Sequence, residues 1–157
     1  MRKRLIIPPE QASRDVGGEW LDLEPRAAIE VTSEDPGHPV EAAVLPGGVG
    51  GWRAGTPGRQ TLRIVFDEPQ RIRRIHLEFV EVSVERTQEF VLRWSAGGRQ
   101  PFQEILRQQW NFSPAGSARE TEDFQVNLAG VKAIELHINP DIRSEDAVAS
   151  LERLRLG

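Results

Sequence analysis

The sequence predicts an all-β fold, an antiparallel β-sandwich or jelly roll of about eight strands with little helix. Apolar and polar residues alternate with period two in five separate segments, and turn chemistry separates those segments at roughly even intervals. Helix signals are poor, above all in the first third of the chain.

The first residues, Met1 to Arg26, are broken by Pro8 and Pro9 and by Gly17 and Gly18, and they read as an extension leading into the domain at 27–157. Trp20-Leu21-Asp22-Leu23 alternates like a short strand, Glu24 to Arg26 is a turn, and Ala27 to Val31 is a second strand. Thr32 to Pro39 (TSEDPGHP) consists almost wholly of turn formers. A glycine-rich loop carrying Trp52 then leads to strands at Gln60–Phe66 and, after the turn Asp67–Gln70, at a segment ending at Phe79. Leu62, Ile64 and Phe66 share one face of the first, and Ile75, Leu77 and Phe79 one face of the second. Gln88 to Ser95 repeats the pattern with Phe90, Leu92 and Trp94 in phase, and Ala96-Gly97-Gly98 is a hairpin turn. Phe102 to Trp110 fits a strand or a helical turn. Asn111 to Arg119 is a polar loop. Strands follow at Phe124–Leu128 and Val131–Ile138, and Val148 to Leu156 closes the chain.

Composition removes several function classes. At 157 residues the chain fits one domain with a proper core. A net charge of −4 and a pI near 5.5 disfavour a general binder of nucleic acid or anionic membrane. Only Lys3 and Lys132 are lysines; the remaining basic residues are arginines. There is no cysteine, so disulfide and thiolate chemistry are excluded. The apolar run Leu5–Ile7 is too short for a secretory signal, and no stretch approaches the ~20 apolar residues of a membrane span. The expected location is soluble and cytoplasmic.

The order of motifs resembles a known family. A proline-led loop before a tryptophan (Pro39 to Trp52) precedes Ile64-Val65-Phe66-Asp67 and the spaced set Pro69, Ile72, Ile75. Phe90 to Gly98 reads F-x-L-x-W-S-x-G-G, and the chain closes on L-E-x-L-x-L-G at Leu151 to Gly157. This series, over roughly Ala27 to Gly157, resembles the discoidin or coagulation-factor type C domain of the galactose-binding-like jelly rolls. It is also similar to small bacterial proteins described as carbohydrate-binding. The resemblance implies a module that binds without catalysing, through loops at one end of the sandwich. It also implies a structural calcium, held in many members by an Asp-Gly loop, backbone carbonyls and a Glu near the C-terminus. Glu152 stands where that Glu would, but the Asp-Gly position reads Pro46-Gly47, and Glu135 and His137 replace an arginine frequent in the late strand.

Sugar recognition needs an aromatic face for the C–H patch of a pyranose and planar polar groups for its hydroxyls. Trp110-Asn111 and Trp52-Arg53 each offer both types side by side, although each tryptophan could equally fill the core or plug the end of the sandwich. Trp94 and Trp20 read as core. Glu34, Asp35 and His38 lie in one turn-rich loop, where they could bond hydroxyls or a cation or simply face solvent. His76 and His137 sit in the outward phase of their strands and lack zinc-site spacing. Glu120, Glu122 and Asp123 are the densest carboxylates, but no nucleophile, phosphate or metal motif accompanies them. Arg71, Arg73 and Arg74 alternate with Glu78, Glu81 and Glu85 as a salt-bridged face would. The sequence thus predicts a carbohydrate-binding module that is not an enzyme, using Trp52, Arg53, Trp110 and Asn111. Its alternative is a protein-interaction or scaffold module, docking a partner or a second copy. Nucleic-acid end binding is a third, disfavoured reading.

Overall fold

The structure, a computed structural model, describes residues 20–157. The extension expected at 1–26 therefore falls largely outside the described residues. Eight strands and one short helix make up the fold: β1 (Ala27–Val31), α1 (Glu41–Val44), β2 (Trp52–Arg53), β3 (Gln60–Val80), β4 (Arg86–Ser95), β5 (Gln103–Phe112), β6 (Arg119–Asn139), β7 (Ser150–Leu151) and β8 (Arg153–Leu156).

Two of the expected strand pairs are single 21-residue strands. β3 spans both segments on either side of Asp67–Gln70, and β6 spans both sides of Ala129-Gly130. They pair along their whole lengths, with register shifts between Val65 and Arg74 where the ribbon turns over. The first half of β3 lies between β1 and the second half of β6, and β4 and β5 extend that sheet in the order β1-β3-β6-β4-β5. The second half of β3 pairs with β8 and with the first half of β6, and forms the opposite layer.

The two layers meet through the residues that period two placed inward. Leu62, Ile64, Phe66, Ile75, Leu77 and Phe79 are all buried, and the Phe79 and Phe90 rings face each other across the sandwich at 5.2 Å. Trp94, in phase with Phe90 and Leu92, is half-buried against that core. The ambiguous segment 102–110 is strand, and its partner β4 supplies the hydrogen bonds that a helical turn would have made internally.

One element escaped the sequence reading. Helix α1 has a single turn and no side-chain cap, so it carries no local signal. Tertiary contacts hold it instead: Ala43 and Val44 are buried, and Arg155 on β8 donates to the carbonyls of Ala43 (2.8 Å) and Leu45 (3.1 Å) at its C-terminus. The loop after it needs its glycines. At Gly51 φ is +66°, and a Cβ there would stand 2.5 Å from the Leu151 carbonyl, so only glycine lets β2 run against β7.

Candidate ligand-binding site

The structure separates the residues that sequence had grouped as a sugar site. Trp52 is 1% exposed, and its Nε1 donates to the Ser33 carbonyl at 3.1 Å. Both faces of its ring are covered by core, so it offers nothing for a pyranose to stack on; the end-plug reading describes it. Arg53, Glu34, Asp35 and His38 do come together around it; the Glu34, Asp35 and His38 side chains are spent on the loop itself, while Arg53 joins it through its backbone and its side chain is exposed. The Glu34 carboxylate accepts from the Val40 amide at 2.7 Å and Asp35 from the Gly37 amide at 2.9 Å. His38 exchanges backbone hydrogen bonds with Asp35 and Arg53, and its Nδ1 lies 3.3 Å from the Gly50 carbonyl.

Trp110 points to the inner side of β5, half-buried against the core, and its Nε1 reaches the Ser117 carbonyl at 3.4 Å. Asn111 faces outward and accepts from the Thr87 hydroxyl at 2.7 Å. Glu152 binds Glu78 through its backbone amide, and among the described residues no three acidic, histidine or cysteine side chains gather to hold a metal ion.

The concave feature lies elsewhere, on the outward face of the five-stranded sheet. A groove of about 600 Å³ runs over Thr61, Glu89, Val91, Arg93, Arg107 and His137, with Arg59 and Asn139 at its end. Those two residues also line a second hollow of about 460 Å³ between the 57–59 and 139–145 loops, together with Asp141, Arg143 and Glu145. The groove therefore adjoins the hollow between the loops at one end of the sandwich, with Arg59 and Asn139 as their shared wall. No aromatic side chain lines either part.

Its charges are ordered. Arg107 donates to Glu89 at 2.7 Å and to Glu104 at 3.0 Å, and these contacts hold its guanidinium above its ordinary pKa. Gln109, followed by Arg107, holds the Glu89 carboxyl below its ordinary value. On the adjoining strands Arg63 clasps Glu135 (2.7 Å) and Glu30 (3.1 Å), and those two bonds raise its pKa. His137 sits between the Thr61 hydroxyl at 2.9 Å and Glu135 at 3.1 Å. On β3, β4 and β6 these side chains occupy the outward phase of alternation, whereas on β5 a register shift beside Leu92 and Arg93 brings Glu104 to the same face as Arg107. Part of this pattern was visible in the sequence as a polar face; its concavity was not, because alternation does not report the curvature of a sheet.

Beneath the loops lies a buried polar cluster. Arg86 stacks on Phe112 with its guanidinium carbon 4.6 Å from the ring centroid, and it donates to Glu81 (2.8 Å), Gln88 (3.1 Å) and the Pro140 carbonyl (2.8 Å). Burial raises the Glu81 carboxyl, but the bonds from Arg86 and Ser83 outweigh it and leave the pKa lowered. Glu120 is wholly buried and accepts from Gln88 at 3.3 Å. Burial, then its neighbour Glu122, pushes its pKa up to about 8, so its carboxyl is neutral at pH 7. Arg86 thus pins three chain segments, including the one that opens the end hollow.

Among solved structures, the family 32 carbohydrate-binding module from C. perfringens NanJ in complex with galactose superposes with a TM-score of 0.58. The match covers 83% of this chain and 92% of that one, at 13% identity. The chain has the galactose-binding, discoidin-like jelly-roll fold. A second match is the family 32 module of AlyQ in complex with 4,5-unsaturated mannuronic acid, with a TM-score of 0.60, 11% identity and coverage of 83% and 93%. A third is reduced XRCC1 bound to the DNA polymerase β catalytic domain, with a TM-score of 0.56, 17% identity and coverage of 85% and 98%. No protein-family model and no curated protein matches the chain.

Proposed function

We propose that the chain is a non-catalytic carbohydrate-binding module whose ligand lies in the groove on the outer face of the five-stranded sheet. The observation that carries this reading is that the groove adjoins the hollow between the end loops, with Arg59 and Asn139 lining both. Several jelly rolls of this fold hold sugars in their solved structures, which supports the ligand class. Recognition would rest on planar and hydroxyl groups: the guanidiniums, the Asn139 amide, the Thr61 hydroxyl and the His137 ring address sugar hydroxyls, with Val91 as an apolar floor. A handful of solvated hydrogen bonds, each worth roughly 0.5–1.5 kcal/mol net, corresponds to a Kd on the order of 0.1–1 mM. A glycan array on the purified chain, with Val91→Trp to fill the groove, tests the reading. Selective binding lost in that variant supports it, and equal binding by both proteins refutes it.

The second reading is a protein-interaction module. It rests on the opposite flank, where β5 and the first half of β6 are both edge strands and Ile105, Leu106, Trp110, Phe124, Val126 and Leu128 are only partly buried. Such edges accept an added strand from another chain. Charged substitution at Leu106 that dissociates an observed complex would favour it over the sugar reading.

A further inference from the structure

We infer that the ligand of this groove is a polyuronate, a polysaccharide whose successive sugars carry carboxylates, bound through the guanidiniums of Arg59 and Arg93. This rests on the groove reading above.

The groove's carboxylates are paired, and two of its arginines are not. Over the sheet, every carboxylate that reaches the groove already has partners on the protein: Glu89 has Arg107 and Gln109, Glu104 has Arg107, and the neighbouring Glu135 has Arg63 and His137. Arg59 and Arg93 line the same groove; Arg59 lies near enough to Glu89 to help lower its pKa, but no hydrogen bond or close ion pair engages either guanidinium among the described residues. Arg93 lies in register between Glu135 on β6 and Glu104 on β5, yet both carboxylates are engaged by other cations. What the groove lacks is therefore an acceptor of two-pronged N–H donation, and a planar carboxylate matches that geometry.

Spacing points to a polymer rather than one acid group. Arg93 is level with Arg63 across β6, whereas Arg59 lies four residues earlier on the β3 side. Strand geometry puts their backbones about 13 Å apart along the strands and about 10 Å apart across them. Two guanidiniums so placed meet separate carboxylates of one chain. The end hollow does not add to this preference, because the free Arg143 there is offset by Glu145.

The test is calorimetric titration of the whole chain with tetrameric galacturonate and tetrameric mannuronate, each beside its counterpart with the carboxyls reduced to hydroxymethyl groups, and with dextran sulfate as a sulfate polymer. At least one uronate should bind tenfold or more tighter than its reduced form. Arg59→Gln and Arg93→Gln should each weaken uronate binding about tenfold and binding of the reduced tetramer less than about threefold, with thermal melts showing that both variants fold. Equal binding of uronate and reduced forms, or dextran sulfate binding as tightly as uronate, overturns the polyuronate inference and leaves the groove reading standing. Binding that survives intact in both arginine variants also overturns it. Failure of every glycan, charged and neutral, overturns the groove reading itself.

Discussion

Replacing Glu120 by glutamine should make this protein more stable in mild alkali and erase most of its pH dependence between pH 5 and 8. Glu120 is fully buried, its neutral form is the one the fold accepts, and its pKa stands at about 8 against an ordinary 4.5. Between those two values the unfolded chain releases a proton that the folded chain retains. Stability therefore falls as pH rises through this window and levels off above it. With 1.36 kcal/mol for each tenfold displacement, the loss between pH 5 and 8 is about 3–4 kcal/mol. For a domain of this size that corresponds to a fall in Tm of roughly 10 °C. Glutamine has the same shape and still accepts from Gln88, but it cannot ionise. Thermal melts at pH 5, 6, 7, 8 and 9 should show a falling wild-type Tm, a flatter variant, and curves that meet within about 1 kcal/mol at pH 5. The titration of all other groups cancels in the difference between the two proteins. Parallel curves, or a variant that loses its advantage over wild type as pH rises from 5 to 8, would refute the reasoning.

Two other substitutions separate structural from binding roles. Arg86→Ala strips a buried ion pair and leaves Glu81 and the Pro140 carbonyl without their donor, so chemical denaturation should show a loss of about 3–5 kcal/mol. Trp52→Phe leaves a smaller ring in the core and an unpaired Ser33 carbonyl; it should cost about 1–3 kcal/mol in the same assay while leaving glycan affinity unchanged.

The strands were legible because period two is a local signal, and β1 at Ala27–Val31 coincides with the expected segment. What alternation could not carry is where a strand crosses from one layer to the other. The turn expected at Asp67–Gln70 and the one at Ala129-Gly130 are bends within β3 and β6, where the pairing of the two strands shifts register and then resumes. Tryptophan identity did not report exposure either. Trp52 lies in a glycine-rich loop, which reads as presentation, yet Gly51 draws that loop so close to β7 that the ring becomes core. Arg93 and His137 were visible on outward strand faces, but Arg59 and Asn139 read as loop and Glu104 and Arg107 lay in a segment that fitted strand or helical turn. Alternating charge on a strand also has the same signature whether the sheet is convex or concave. Deciding which arginines remain unpaired required the cross-strand register, which no single sequence displays.

The central claim is that ligand meets the sheet groove and not the tryptophans. The most direct measurement is a ¹⁵N-edited NMR titration of the chain with the tightest glycan from the array, following the four indole N–H signals together with the arginine Nε–H and asparagine amide signals. The account predicts saturable shifts at Asn139, Arg59 and Arg93 while the Trp52 and Trp110 indoles stay still. Movement of the Trp110 indole with the groove signals unchanged would contradict it and return the site to the edge of β5.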